Sequence, residues 1–180
     1  MYVAVARFPS PLGLLTLTAS DTALTGVHFP HSPRVPPLHV VERGPGGEDH
    51  VVESGPGGED RSSAVLERAR QQLDEYFAGA RAAFDLPLDL TGSAFERRVW
   101  DALRAIPYGT TVSYGDLARR LGDMRTTRAV GAANGKNPIA IIVPCHRVVG
   151  SRGELTGYGG GLDRKRWLLE HEGALLALGR

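Results

Sequence analysis

The feature that most constrains this chain is a run of apolar residues that leads directly to its only cysteine. Residues 139–143 are five apolar residues in succession, four of them large and aliphatic, and Pro144 follows them. Such a run predicts a short buried strand, and proline, which has no backbone N–H to donate, predicts that the strand ends there. Cys145 would then lie where a rigid, dry element opens into a turn, a position suited to holding a nucleophile in place.

Cys145 has two competing interpretations. A lone cysteine is often an inert, buried side chain, but His146 and Arg147 follow Cys145 at once. A neighbouring base or positive charge lowers the pKa of a thiol and makes it a nucleophile. Because adjacent residues of an extended backbone point to opposite faces, Cys145 and His146 can cooperate only if the backbone turns there or a water links them.

Length and composition predict a globular protein of the cytoplasm. The chain has 180 residues, enough for one medium domain or two small ones, and its apolar fraction of 42% can supply a core. No apolar run approaches the ~18 residues of a membrane-spanning helix, and the N-terminus lacks the pattern of a signal peptide. A single cysteine cannot form an internal disulfide, which is typical of a reducing compartment.

Charge is distributed unevenly between the two halves of the chain. Residues 1–90 hold 7 Lys/Arg and 12 Asp/Glu, a net charge of −5, whereas residues 91–180 hold 14 and 8, a net charge of +6. We therefore predict two domains, residues 1–90 and 91–180, the second of which faces a polyanion. Chance unevenness is the alternative explanation.

The first half alternates short apolar segments with turn residues, which predicts an antiparallel meander covered by one helix. Strands are expected over residues 2–8, 14–18 and 24–29, and a helix with an apolar stripe over residues 64–78, ended by Gly79. Residues 84–90 alternate as a further strand or extended connector would. Histidines occur near the intervening loop without any cysteine, so we predict no zinc and no other metal site.

Residues 30–61 differ from the rest of this half. They hold six of the twelve prolines, and residues 40–50 recur as residues 51–61 with changes at two positions. Two copies are too few for a repeat fold, and Gly-Pro-Gly-Gly is unsuited to the interior of a helix or strand. We therefore predict a long, mobile, acidic surface loop.

The second half is mainly helical. Caps and apolar stripes predict four helices, over residues 94–106, 114–121, 126–136 and 164–172. Their expected N-caps are Ser93, which forms a capping box with Glu96, then Ser113, Thr126 or Thr127, and Asp163. The second and third helices, joined by a turn that contains glycine, have the outline of a helix-turn-helix, although an ordinary helical hairpin has the same outline.

The third of these helices is rich in small residues, which suits shallow contact with DNA. Gly131 and Gly135 each cost roughly 1 kcal/mol of helix propensity, so we expect this helix to approach another surface closely. Few of its side chains are long and polar enough to contact base edges in a major groove. Arg128 lies in the first turn, where the helix dipole disfavours a cation, so this residue is either functional or simply solvated.

Two features after Cys145 complete a candidate site. Residues 149–162 are a glycine-rich loop, either a flap that carries Tyr158 or a plain surface loop. Glu172 falls in the last turn of the fourth helix, where a carboxylate is disfavoured, so it is either solvated or held by a partner such as His146. Cys145, His146 and Glu172 would form a nucleophile, a base and an orienting group. A cysteine hydrolase has the same set, but the basic half and the helix pair favour an alkyl-accepting cysteine that acts on DNA.

Residues 144–148, Pro-Cys-His-Arg-Val, resemble the signature of the O6-alkylguanine-DNA alkyltransferases. The resemblance extends over residues 91–173 and includes residues 128–131, 137–138, 158–161 and 168–173. It implies an α+β fold with a small N-terminal antiparallel sheet and a covering helix, RNase H-like in this family. A mainly α C-terminal domain of the winged-helix or helix-turn-helix type would follow.

The resemblance also implies the chemistry. Cys145 would take an alkyl group, mainly methyl, from O6 of guanine, and from O4 of alkylated thymine. Glu172 would orient His146, which would deprotonate Cys145 through a water, while Asn137 would support the active-site turn. The reaction would be irreversible, would occur once per molecule and would need no cofactor.

The partner implied by the resemblance is double-stranded DNA, bound through the minor groove without sequence preference by a monomer. Tyr114 would push the damaged nucleotide out of the stack, and Arg128 would fill the gap. The flipped base would lie among Tyr158, Val148, Asn134 and Gly159. Some relatives carry a bulky apolar residue in place of Asn134 and serine in place of Gly159, which leaves the range of alkyl groups open. Clustering along DNA stays open too, and a damage-binding protein without transfer chemistry remains a competing hypothesis.

Overall fold

The structure, a computed structural model, describes residues 4–30, 32, 42–43, 49–52 and 61–177. The chain divides into two compact units, Met1–Asp89 and Leu90–Arg180. The first combines an antiparallel sheet with one long helix and the second is mainly helical, so the predicted α+β fold class is confirmed. None of the helices in the described ranges has the length and hydropathy needed to cross a membrane.

The first unit is built on the predicted meander. β1 (Ala4–Ser10), β2 (Gly13–Ala19) and β3 (Leu24–His28) pair as antiparallel neighbours in chain order. The turn between β1 and β2 is closed by the Ser10 hydroxyl, which donates to the Gly13 carbonyl at 2.7 Å. Gly13 has a φ of 100°, a conformation that residues with a side chain rarely adopt.

The prediction of a loop over residues 30–61 is wrong at two places. β4 (Glu42–Arg43) and β5 (Asp49–Val52) join the sheet, and β5 pairs antiparallel with β1, which gives the strand order β3-β2-β1-β5-β4. Val51 and Val52 are β-branched residues that suit a strand, and they outweigh the glycines and prolines on either side. Most of the remaining predicted loop lies outside the described residues.

One helix packs against this sheet. α1 (Arg61–Phe77) begins three residues before the predicted start at residue 64 and packs against β1 and β2. Gly79, with a φ of 74°, ends it as predicted. The apolar stripe is buried through Leu66, Ala69, Leu73 and Tyr76.

The segment after α1 is not a strand. Residues 84–90 form a single parallel bridge, between Leu88 and Leu24, because Pro87 has no N–H with which to extend the pairing. No cluster of three or more His, Cys, Asp or Glu side chains in the described part of the chain could hold a metal ion.

The second unit begins with three packed helices. α2 (Ala94–Arg104) and α3 (Tyr114–Arg120) start at the predicted caps, Ser93 with its Glu96 capping box and Ser113. α4 (Thr127–Gly135) packs against both α2 and α3, so α3, the turn and α4 have the helix-turn-helix outline. The indole N–H of Trp100 in α2 donates to the Ala133 carbonyl in α4 at 2.9 Å.

Two cap predictions in this unit are wrong. The hydroxyls of Thr126 and Thr127 donate to carbonyls of the preceding turn at 2.6 Å, so neither caps α4. Asp123 instead caps a 3₁₀ helix, Met124–Thr126, that leads into it. The last long helix, α5 (Leu162–His171), starts after Gly161 and includes Asp163 in its first turn, and α6 (Ala174–Ala177) follows.

The prediction of a strand over residues 139–143 is also wrong. These residues are buried, but the N–H of Ile142 donates to the Ala140 carbonyl at 2.8 Å and that of Val143 to the Ile139 carbonyl at 3.0 Å, so the backbone turns tightly. Ile141 has a φ of 71°, which is rare for a β-branched residue. A continuous apolar run indicates that a segment is buried on all sides, but a buried segment need not have an extended backbone.

Candidate active site

The Asn137 side chain holds this buried turn together. Its Oδ1 accepts the N–H of Ile139 at 3.0 Å, and its Nδ2 donates to the Val143 carbonyl at 2.8 Å and to Sγ of Cys145 at 3.1 Å. One amide therefore bonds both ends of the turn and the thiol that follows it. The short polar side chain thereby satisfies backbone groups of a segment that is buried from water.

Cys145 is the first residue of a short 3₁₀ helix, Cys145–Arg147, and is only 6% exposed to solvent. Burial raises the pKa of the Cys145 thiol, while the Asn137 amide, the Lys165 charge and the Tyr158 hydroxyl all oppose that rise. The resting group is thus a neutral thiol surrounded by groups that favour its ionised form. A base is needed to remove its proton when it reacts.

His146 and Glu172 form a buried pair beside this thiol. Nε2 of His146 lies 2.8 Å from Oε1 of Glu172, and both side chains are 0% exposed. Since a carboxylate only accepts, Nε2 carries the hydrogen and Nδ1 carries the lone pair. Burial lowers the pKa of His146 although Glu172 opposes this, so the ring stays neutral.

The other ring nitrogen of His146 is available to a further partner. Nδ1 is buried and accepts no hydrogen bond from the described part of the chain, where no direct bond joins His146 to Cys145 either. A buried polar atom of this kind ordinarily has a partner. A water between Nδ1 and the thiol would supply it, and the 3₁₀ turn provides the change in direction that cooperation of the two neighbours requires.

Sequence reasoning considered Arg147 only as a positive charge beside Cys145 and did not predict its contact with Glu172. Its guanidinium is bidentate on Glu172, with Nε 2.8 Å from Oε2 and Nη2 2.9 Å from Oε1. Burial alone would raise the pKa of Glu172, but the bonds from His146 and Arg147 outweigh it and hold that pKa well below the usual range. The sequence did offer one signal for this role, which is a charged residue inside a motif that is otherwise buried.

Lys165 is the second residue that sequence reasoning missed. It is 0% exposed in α5, and its Nζ donates to the Thr156 carbonyl at 2.6 Å and lies 5.7 Å from the centre of the Tyr114 ring. Burial lowers the pKa of Lys165 to about 8. Two arginines flank Lys165 in the sequence, so it resembled a solvated residue. Lys165 nevertheless lies three residues before the buried Leu168, and this spacing places it on the inward face of α5.

Two tyrosines and the glycine-rich loop lie at the same place. The Tyr114 hydroxyl, at the start of α3, donates to the Gly157 carbonyl at 3.1 Å, which attaches the loop to the helix pair. Burial raises the pKa of Tyr114, and the nearby Cys145 adds to this. The Tyr158 side chain faces Cys145, whose ionised form its hydroxyl favours.

Three of the four remaining predicted residues lie near the site. Asn134 is buried, and its Nδ2 donates to the Cys145 carbonyl at 3.3 Å. Val148 is buried in β7 (Val148–Val149), which pairs in parallel with β6 (Val112–Ser113) just before Tyr114. Gly159 lies beside Gly135 of α4, so that an added Cβ would be 3.7 Å from the Gly135 carbonyl oxygen.

Arg128 stands apart from this cluster. It is exposed in the first turn of α4 and has no ion-pair or hydrogen-bond partner among the described residues. Among the described residues, the expected close approach at Gly131 is not seen, because a Cβ there would be in ordinary contact, 3.9 Å from the Tyr114 ring.

Comparisons with known proteins match both parts of the chain. Residues 1–90 match the ribonuclease-like domain of 6-O-methylguanine DNA methyltransferase, and residues 94–174 match its DNA binding domain. The methylated-DNA–protein-cysteine methyltransferase of Mycolicibacterium paratuberculosis is 48% identical over 163 residues, which cover 91% of this chain and 88% of that protein. The protein of the same name from Methanosarcina acetivorans is 41% identical over 174 residues, covering 97% and 99%.

Solved structures are similar over nearly the whole chain as well. The crystal structure of Mycobacterium tuberculosis O6-methylguanine methyltransferase has a TM-score of 0.77 and 44% identity, covering 96% of this chain and 93% of that one. The crystal structure of Mycobacterium tuberculosis OGT in complex with DNA has a TM-score of 0.74 and 43% identity, covering 97% and 98%. The resemblance seen in the sequence is confirmed, and this chain belongs to the 6-O-methylguanine DNA methyltransferase family.

Proposed function

We propose that this protein repairs alkylated DNA by direct reversal, moving the alkyl group from O6 of guanine to Sγ of its own Cys145. The observation that carries the proposal is the placement of a lone thiol beside an Asn137 amide and a buried His146–Glu172 pair. Membership of the family gives this arrangement its substrate. A neutral, buried thiol with a base at hand can serve as the nucleophile of such a displacement.

Activation of the thiol begins at Glu172. Its carboxylate accepts from Nε2 of His146 and so fixes the tautomer in which Nδ1 has the lone pair. A water would then carry the Cys145 proton to Nδ1, and the Asn137 amide would stabilise the thiolate that forms. General-base help of this kind typically contributes about 10²–10⁴-fold to the rate.

The transfer step breaks one bond and forms another. The Sγ electron pair attacks the alkyl carbon, the carbon–O6 bond breaks, and its electron pair returns to the purine. The purine regains its neutral form by taking a proton, for which the Tyr114 hydroxyl beside the Gly157 carbonyl is the proposed donor. The products are guanine and a thioether on Cys145, and since water does not cleave a thioether, no second step restores the thiol. The step uses no cofactor.

Access to the damaged base requires the nucleotide to leave the helix, at a cost of a few kcal/mol. Arg128 is exposed and has no partner among the residues that the structure describes, so it can enter the duplex and offset part of that cost. Tyr114 would displace the nucleotide, and the extruded base would lie among four residues near the thiol: Tyr158, Val148, Asn134 and Gly159. The small residues of α4 suit sequence-independent contact with the minor groove of double-stranded DNA.

Several narrower properties belong to the same proposal. O4-alkylthymine presents a comparable oxygen-bound alkyl group and is a proposed second substrate. The protein would act as a monomer in the cytoplasm. Residues 1–90 and 91–180 would be separate domains, with the chemistry and the DNA contacts confined to the second.

The experiment is a count of repaired guanines. A duplex with one O6-methylguanine is added in excess, and restored guanine is measured by chromatography of the digested DNA against the molar amount of protein. The proposal predicts a plateau at one guanine per chain and none with Cys145→Ser. Product that keeps rising beyond the protein concentration would indicate a hydrolase, and binding without any restored guanine would indicate a damage-binding protein.

A further inference from the structure

Arg147 connects three parts of the second unit around the His146–Glu172 pair. It lies at the end of the 3₁₀ helix that begins with Cys145 and reaches Glu172, at the end of α5, through two bonds. Its third nitrogen, Nη1, donates to the Ile106 carbonyl after α2 at 2.6 Å. The guanidinium also lies 5.7 Å from the centre of the Tyr108 ring. A side chain fixed at so many points has one conformation.

We propose that Arg147 is a positioning residue of this site, which fixes both oxygens of Glu172 and balances its charge so that His146 stays neutral. The inference rests on the proposed function, in which neutral His146 accepts the Cys145 proton. The two roles differ in kind. Fixing the carboxylate sets the direction of the His146 ring, whereas balancing its charge sets the protonation state of that ring.

The charge argument follows from the groups that face His146. Glu172 favours the imidazolium through its bond to Nε2, and Arg147 and Lys165 oppose it from the 3₁₀ helix and from α5. Cys145, the preceding residue, is neutral at rest, and so is Tyr108, which faces the Arg147–Glu172 pair and whose pKa is raised by burial and by Glu172. Without Arg147, Glu172 would be left with one cation fewer in a buried setting, where such interactions are strong. The pKa of His146 would then rise. At pH values below that pKa, His146 would be protonated and could no longer act as a base.

The test measures His146 directly, so that it does not depend on DNA repair. Protein labelled with ¹³C and ¹⁵N in histidine is titrated by NMR from about pH 5 to about pH 9, the range in which histidine titrates, and the His146 signals are assigned with His146→Gln. In the parent, His146 should stay neutral through most of this range. In Arg147→Met, which keeps the length and removes the charge, its pKa should rise by about one unit or more, a tenfold change in protonation.

Two further variants separate charge from structure. Arg147→Lys keeps the charge but holds the carboxylate less rigidly, so His146 should stay neutral while methyl transfer slows. Arg147→Met combined with Glu172→Gln removes both charges, so His146 should return to the neutral behaviour of the parent. Arg104→Met, a change at an exposed arginine of α2, should leave the His146 titration as it is in the parent.

The rate of methyl transfer gives the second readout. In Arg147→Met, the fall in the transfer rate at acidic pH should begin at a higher pH, displaced by the same amount as the His146 pKa. At pH values above that pKa, the rate should recover. A His146 pKa that does not move in this variant, or a rate lowered equally at every pH, would overturn the proposal. If the variant does not fold, Arg147→Lys decides, because a His146 that gains a proton despite the retained charge would also overturn it. A parent that transfers no methyl group would instead refute the proposed function.

Discussion

Replacing Asn137 with alanine tests how much one amide contributes to the active-site turn. The change removes the bonds to the N–H of Ile139, to the Val143 carbonyl and to Sγ of Cys145. The Val143 carbonyl keeps a second partner, since it also accepts the N–H of Cys145 at 2.8 Å. The Ile139 N–H is left buried and unpaired, which costs about 1–3 kcal/mol, and the two other bonds contribute about 0.5–1.5 kcal/mol each.

The expected loss of stability is therefore about 2–6 kcal/mol, which lowers the urea midpoint of unfolding by roughly 1–3 M. Both tryptophans of the chain, Trp100 and Trp167, lie in the second unit. Their fluorescence follows the unfolding of that unit alone and is the appropriate assay. A midpoint equal to that of the parent would refute the view that Asn137 holds the turn.

A matched variant separates stability from chemistry. Leu103 is fully buried in α2 and does not bond to the turn, and Leu103→Ala costs about 2–5 kcal/mol by loss of packing. Under conditions where both variants are folded, Leu103→Ala should transfer methyl groups at nearly the parent rate. Asn137→Ala should be slower by about tenfold or more, because the thiol then ionises less readily. Equal transfer rates for the two variants would show that Asn137 acts on stability only.

Three further changes test single residues. The pKa of Lys165 is lowered from 10.5 to about 8 by burial, so the unfolded chain holds the extra proton between these values and the free energy of unfolding should rise with pH there. Lys165→Met should remove this rise, and urea midpoints that run parallel for the parent and the variant would contradict it. Arg128→Ala should change the free energy of unfolding by no more than about 0.5 kcal/mol. It should weaken duplex binding, measured by fluorescence anisotropy, and reduce the slope of log affinity against log salt concentration by about 1. An unchanged slope would argue against a DNA contact. Gly131→Ala should stabilise the protein by about 1 kcal/mol or less, since its Cβ meets only ordinary contact, and should lower duplex affinity; an unchanged affinity would show that α4 does not approach DNA closely.

Local signals in the sequence predicted the elements that depend on local chemistry. Ser93 with Glu96 and Ser113 cap helices because a side-chain oxygen accepts an N–H two or three residues away, and that geometry is encoded by spacing alone. Gly79 ends α1 because glycine readily adopts the positive φ, here 74°, that closes a helix. At Thr126 and Thr127 the same rule failed, because threonine hydroxyls can instead donate to a preceding carbonyl, and the residues alone do not decide between the two.

The features that sequence reasoning missed depend on distant parts of the chain. The turn over residues 139–143 is set by the Asn137 amide, and five apolar residues in a row give no sign of it. β5 forms because β1 has an edge that β2 does not occupy. The glycine-rich residues around β5 give no sign of that edge. The contact of Arg147 with Glu172 and the role of Lys165 were not predicted, because a buried cation is rare and its partners come from segments distant in the sequence, such as Glu172 and Ile106.

The most direct test of the account is the intact mass of the protein after reaction with a duplex that contains O6-methylguanine, followed by mapping of the modified peptide. The account predicts that the whole population gains the mass of one methyl group in place of one hydrogen, that the group lies on Cys145, and that Cys145→Ser gains nothing. A methyl group on any other residue, or repaired DNA together with an unmodified Cys145, would contradict it.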